Sequence, residues 1–200
     1  MPIKRSCILS LGVAGGALAL LTGCGAGELA SGAQSAADVA GVVASPSPSA
    51  AFNDADVMFT QMMIVHHQQA GDMADLAATR ASDPEVEKLA AAIKDEQQAQ
   101  MKDMRGMLTA WGRAAAPGQM AEGMPGLVSQ SDMDKLAAAK GPRFDRLFLQ
   151  HMIAHHKGAI EMARTELAQG ADEQAKKLAD SIVADQRSQI DQMQSILKRL

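Results

Sequence analysis

Two short segments hold every histidine of this 200-residue chain, and both are set in methionine: Phe59-Thr-Gln-Met62-Met63-Ile-Val-His66-His67 and Phe148-Leu-Gln-His151-Met152-Ile-Ala-His155-His156. Met73 and Met162 each follow the first histidine of a pair by seven residues. Imidazole is a borderline ligand and thioether a soft one, so a mixed set favours Cu(I), with Cu(II) or Zn(II) open to the more histidine-rich second segment. The metal-ligand candidates are therefore His66, His67, His151, His155 and His156, with Met62, Met63, Met73, Met152 and Met162. Burying several imidazoles without a metal or a hydrogen-bond partner costs roughly 1–3 kcal/mol each, which argues against histidine as mere filler. Met58, Met104 and Met193 read as core packing, the usual role of a methionine at helical spacing.

The two segments open a longer internal repeat. At an offset of 89 residues, positions 56–111 align with 145–200 without a gap, and nineteen of the fifty-six pairs are identical. Asp56/Asp145, Leu89/Leu178, Gln97/Gln186 and Met104/Met193 are among them. Two copies of this length suit a duplicated helical hairpin better than an open array of repeats. Asn53 or Asp54 can cap a first helix reaching about residue 80. Ser82-Asp83-Pro84-Glu85 starts a second, running to about residue 112. Gly and Pro punctuate 113–130 as a crossover, and a short helix follows from Ser131 to about residue 140. Pro142 opens a third long helix, Gly170 stops it, and a fourth runs from Asp172 to the end. The fold class predicted is all-α, a four-helix bundle of two repeated αα-hairpins joined by a long crossover.

Helical geometry then assigns faces. With Phe59 at 0° and 100° per residue, His66 falls at about 340°, mid-stripe, and His67 at about 80°, on the edge. The second copy places His151, Met152, His155 and Met162 on the same stripe and His156 on its edge. Useful chelating pairs are His151 with His155 and Met62 with His66, each four residues apart. Gln97 and Gln100 interrupt the apolar stripe of the second helix, as Gln186 and Gln189 do in the fourth. Gln97 and Gln186 are predicted to orient the imidazoles from behind, as outer partners of metal-binding histidines do; amides at a wet margin of the bundle are the alternative. Met120 and Met124 fall in the crossover, where thioethers could capture Cu(I) or be there by accident.

Upstream of the repeat, Lys4 and Arg5 precede an apolar run from Cys7 to Leu21. That is about the length of a signal-peptide core and short for a membrane span. Leu21-Thr22-Gly23-Cys24 resembles a bacterial lipobox, which makes 1–23 a signal peptide and Cys24 the lipidated residue. Residues 24–52 are rich in Gly, Ala, Ser and Pro, and lack the apolar content to order themselves, so they read as a flexible tether. The bundle domain occupies 53–200. The expected location is the outer face of the cell membrane, held there by lipid.

Net charge of −4, an aromatic share of 2% and no basic cluster argue against nucleic acid as a partner. Neither copy has an inward Glu-x-x-His motif, which disfavours a di-iron site, and no C-x-x-C-H signal supports haem attachment. Asp72 and Glu161 project to the solvent side. No Ser/His/Asp or Cys/His arrangement suggests catalysis, so the chain reads as a binding protein and not an enzyme. A redox enzyme using bound copper would need an open coordination position.

The doubled pattern His66-His67-x-x-Ala70-x-x-Met73-Ala74 and His155-His156-x-x-Ala159-x-x-Met162-Ala163 resembles the family called domain of unknown function 305. That resemblance spans essentially all of 53–200. It implies a ferritin-like four-helix bundle, export, and in some members copper binding and copper tolerance. One departure is Met62 where the second copy has His151, so the halves can differ in metal preference. The expected function is copper buffering, sequestration or relay, with a metal ion and a donor or acceptor protein as partners. The alternative is an interaction module with a buried His/Gln network, whose edge histidines make a pH-sensitive contact.

Overall fold

The structure, a computed structural model, describes residues 52–115 and 123–200. The predicted leader, Cys24, most of the tether and Met120 lie outside the described residues. Five helices follow in order: α1 (Asp54–Arg80), α2 (Pro84–Ala110), α3 (Gln130–Ala138), α4 (Pro142–Gln169) and α5 (Glu173–Arg199). None of them is long and apolar enough to cross a membrane.

Local sequence sets the helix starts. The Asn53 side chain accepts from the N–H groups of Ala55 and Asp56, while Asp56 accepts from the Asn53 N–H at 2.6 Å. This capping box typically contributes about 1 kcal/mol. Asp83 caps α2 with Pro84 in the first turn, Ser129 caps α3 and Asp172 caps α5. Gly141, at φ 62°, turns the chain into α4 in a conformation other residues resist.

The hairpins α1–α2 and α4–α5 pack side by side, α1 against α4 and α2 against α5, with α3 leaning on α1 and α4. The repeat explains how they lock. Asp145, in the first turn of α4, accepts from Ser82 N–H, Ser82 Oγ and Asp83 N–H in the α1–α2 turn. Asp56, its repeat partner in α1, accepts from Ala171 and Asp172 N–H in the α4–α5 turn. Each hairpin thus satisfies the orphan donors at the start of the other hairpin's second helix. At that end of the bundle, Arg199 of α5 reaches Asp83 at 2.7 Å and Glu85 at 2.9 Å at the start of α2.

Glu166 breaks the symmetry, since the first copy has Ala77 there. It is buried beside Asp56, and Gly170 leaves the room: a Cβ at Gly170 would strike both carboxyl groups. Burial and then Asp56 push Glu166 up to about 8, so it keeps its proton near neutrality beside the Asp56 carboxyl. Burial works against the Asp56 charge, but Glu166 and the N–H groups of Asn53, Asp172 and Ala171 outweigh it, and its carboxyl titrates below the usual range.

With so few aromatics the core is built from Leu, Ile, Ala and Met. Met63, Met73, Met104, Met152 and Met193 are fully buried beside Phe144 and Phe148. Met124 of the crossover is buried too, so it serves as packing and not as a free capture arm. Met58, expected in the core, is 54% exposed because it lies about 100° from Phe59 on the helix.

Candidate metal centre

Long helices α1 and α4 bring His66 and His155 ring to ring, with centroids 3.7 Å apart and planes tilted by 38°. Both rings are fully buried. Above them runs the crossover. Gly126, at φ 78°, presses against the backbone of Ala154, His155 and Gly158, and a Cβ on Gly158 would collide with the Pro125 carbonyl. On α1 the position equivalent to Gly158 is Gln69, whose amide donates to Val128 O and accepts from Val128 N–H. The two helices therefore grip the 125–128 segment from both sides, by contact at Gly158 and by a two-point hydrogen bond at Gln69. The segment is held so that His66 Nε2–H donates to Pro125 O at 3.1 Å.

The second histidine of each pair turns the other way. His67 Nε2–H donates to Gln100 Oε1 of α2 at 2.7 Å, and His156 Nε2–H donates to Gln189 Oε1 of α5 at 2.6 Å. Glu96 ties the amides together, accepting from Gln100 Nε2 at 3.4 Å and from Gln189 Nε2 at 2.9 Å. Burial, then Asp185, push the Glu96 carboxyl upward, and the Gln189 N–H works against them. Neither His67 nor His156 is on an edge: both are fully buried, because each long helix meets two neighbours and its covered arc is wider than one stripe.

Gln97 and Gln186, predicted to orient the imidazoles, are buried with neither amide atom in a hydrogen bond. The amides that do meet imidazole lie three residues further along, at Gln100 and Gln189. His-to-Gln separation is 33 residues in both copies, a regularity visible in the sequence.

Tying off Nε2 has a chemical consequence. A neutral imidazole that donates from Nε2 carries its lone pair on Nδ1. The Nδ1 atoms of His66, His67, His155 and His156 are all buried and unpartnered. His155 lacks a partner at Nε2 as well; the His66 backbone approaches it without forming an aligned hydrogen bond. Burial is the first cause in lowering every one of these groups: His66 to about 4, His67 to about 3, His156 to about 4, and His155 well below its ordinary value. Near neutrality no proton competes for the lone pairs.

Sulfur lies in the same core. Met63 and Met152 sit three residues before His66 and His155, and Met73 and Met162 follow on the stripe, all four buried. Met62 and His151, the repeat pair that differs, are half-buried at the margin. His151 is not in the imidazole pair. Met62, Met162 and Met58 line a cavity of about 370 Å³ with Phe59, Pro125 and Glu166, so Pro125 is both a cavity wall and the acceptor for His66. Among the described residues no group of three or more His, Cys, Asp or Glu converges on a point. Thioether donors beside imidazole would make a set that suits a soft monovalent ion better than Zn(II).

Fold and site together define a duplicated antiparallel four-helix bundle with paired histidines closed into a methionine-rich core. The chain belongs to the DUF305 family, domain of unknown function, whose model matches residues 56–197. It is similar to the predicted secreted DUF305 protein of Streptomyces coelicolor, at 33% identity over 72% of this chain and 93% of that one, with a TM-score of 0.68. A DUF305 fragment from Deinococcus radiodurans is 34% identical over 74% of this chain and 98% of that one, TM-score 0.68. CopM in its Cu(II)-bound form is 34% identical over 72% of this chain and 96% of that one, TM-score 0.64. CopM also has a Cu(I)-bound form, 35% identical over the same shares, TM-score 0.62. No curated protein sequence matches the chain.

Proposed function

We propose that this protein binds copper outside the cytoplasm, tethered to the membrane through a lipid on Cys24, and buffers, sequesters or relays the ion. The observation that carries the reading is the set of four neutral, buried imidazoles with unpartnered Nδ1 atoms, three of them with Nε2–H tied off. His66 and His155 are the central ligands, His67 and His156 flank them, and Met63, Met73, Met152 and Met162 supply sulfur. Met62 and His151 at the margin are the outer ligands through which ions enter. Copper supplies no reaction step here; the chain holds it, shields it from water and sets the donor atoms. CopM, a relative with Cu(I)- and Cu(II)-bound forms, supports the choice of metal.

The hydrogen-bonded chain from His67 through Gln100, Glu96 and Gln189 to His156 favours a second reading, a purely structural polar network. His155 separates the two. It takes no hydrogen bond in that network, so His155→Leu removes unsatisfied polar atoms and is expected to leave metal-free stability unchanged or raise it by about 1 kcal/mol. Under the copper reading, the same variant loses Cu(I) affinity in an anaerobic titration against a competing chelator. Cys7→Ser and Cys24→Ser in every sample remove thiolate competition. Unchanged affinity in both His155→Leu and His66→Ala would falsify the copper assignment.

A further inference from the structure

Glu96 is an odd residue for its place. It stands on α2 and bonds no imidazole itself, yet it is where the two halves of the molecule share a hydrogen-bond partner. One oxygen takes the Gln100 amide of the first copy, the other the Gln189 amide of the second. Its repeat counterpart, Asp185, is shorter by one methylene and is bonded instead by Ser181 of its own helix. One carboxylate therefore serves both amides.

A carboxylate only accepts, so each amide must present its NH2 to Glu96. The amide oxygen then points the other way, at Nε2 of His67 on one side and of His156 on the other. An amide oxygen also only accepts, so each imidazole must carry its proton on Nε2. Protonation of the ring is not an alternative at neutral pH, because both rings are enclosed in the core. We propose that Glu96 is a positioning residue shared by both repeats: it sets the orientation of the Gln100 and Gln189 amides and thereby holds His67 and His156 as Nε2–H tautomers with Nδ1 lone pairs free. The tautomer claim concerns the metal-free protein; its meaning for ligation rests on the copper reading above. The hydrogen bonds of Glu96 go to the two amides and not to a metal-ligand candidate, so it acts through the amides.

Glu96→Gln is the diagnostic change, because glutamine is the same shape but offers one oxygen and one NH2. It can satisfy only one of the two amides as Glu96 does. The other must turn around, present its own NH2 to imidazole, and drive that ring to the Nδ1–H form. Long-range 15N–1H NMR of the metal-free full chain at neutral pH reads this directly, since protonated and lone-pair ring nitrogens resonate far apart. The expected wild-type spectrum has His66, His67 and His156 all as Nε2–H. In Glu96→Gln, His67 or His156 moves wholly or partly to Nδ1–H, while His66, anchored on the Pro125 carbonyl, stays put as an internal control. In Glu96→Ala both rings are released and both become mixtures. If Glu96→Ala fails to fold, the isosteric Glu96→Gln carries the test alone.

The inference is overturned if His67 and His156 stay Nε2–H in Glu96→Gln, or are Nδ1–H in the wild type. Copper titration of the same variant addresses the underlying reading separately. Loss of an outer partner of a metal-binding histidine typically costs 10–100-fold in affinity, and about tenfold is expected here because only one ring is misdirected. A moved tautomer with unchanged Cu(I) affinity would uphold the role of Glu96 and count against Nδ1 of His67 and His156 as ligand atoms.

Discussion

Acid should unfold the metal-free protein well above the pH at which carboxylates are usually lost, and four histidines set the scale. Each has a folded pKa below its ordinary 6.5: about 4 for His66 and His156, about 3 for His67, and lower than 6.5 for His155. A group of this kind binds its proton more readily unfolded, so its contribution is present above about 6.5 and is lost as pH falls through the folded value. At pH 5.5 the unfolded chain holds roughly 0.9 more protons than the folded one at each of His66, His67 and His156, and His155 adds to this in the same direction. Glu166 opposes this, because its raised pKa keeps a proton on the folded form that the unfolded chain has mostly released. Before His155 is added the net is about 2 protons, or on the order of 2–3 kcal/mol per pH unit. Between pH 6.5 and 5 the loss amounts to on the order of 3 kcal/mol before His155 adds to it, more than half the stability of a marginal domain. Urea titrations at half-unit steps, followed by circular dichroism, would read it. Stability that stays flat from pH 7 to pH 5 would refute the buried, neutral state of the histidine cluster. A ligand that occupies the lone pairs should move the acid limb to lower pH, since metal then competes with protons.

Glu166→Gln tests the opposite limb. The raised Glu166 pKa gives stability that is complete below about 4.5 and lost as pH rises to about 8, so wild type should weaken between pH 6 and 9 and the variant should not. Parallel curves would show that Glu166 does not hold a proton near neutrality. Gly158→Ala places a methyl group against the Pro125 carbonyl, and the gripped segment has to lift. The expected cost is about 1–3 kcal/mol in thermal or urea unfolding, with His66 Nε2 losing its acceptor. A neutral Gly158→Ala would mean that the crossover is not held as described.

Much of the fold is legible in the sequence because its signals are local. Asn53, Asp83-Pro84, Pro142 and Gly170 mark helix ends through capping and backbone chemistry, and the 89-residue offset announces two hairpins. The repeat also exposes Asp56 and Asp145, but the donors they satisfy lie in the other hairpin, so their role depends on how the hairpins dock. His66 and His155 fall mid-stripe by angle alone, and they meet. His67 and His156 look like edge residues until a second neighbour covers them. Choosing Gln100 over Gln97 requires the relative height of α1 and α2, which the three-residue turn at 81–83 fixes in space and not in pattern. Pro125 is further from reach, because a backbone carbonyl in a crossover has no side-chain signature. The positions of Gly126, Gly158 and Gln69 explain it only after the helices are in place.

X-ray absorption at the copper edge tests the central claim most directly. The full chain with Cys7→Ser and Cys24→Ser, loaded anaerobically with Cu(I), should show imidazole nitrogen and thioether sulfur together in the first coordination sphere. His66→Ala with His155→Leu should sharply reduce the imidazole signal. A spectrum with sulfur or light oxygen ligands alone, unchanged in the double variant, would place copper elsewhere and leave the paired histidines as packing.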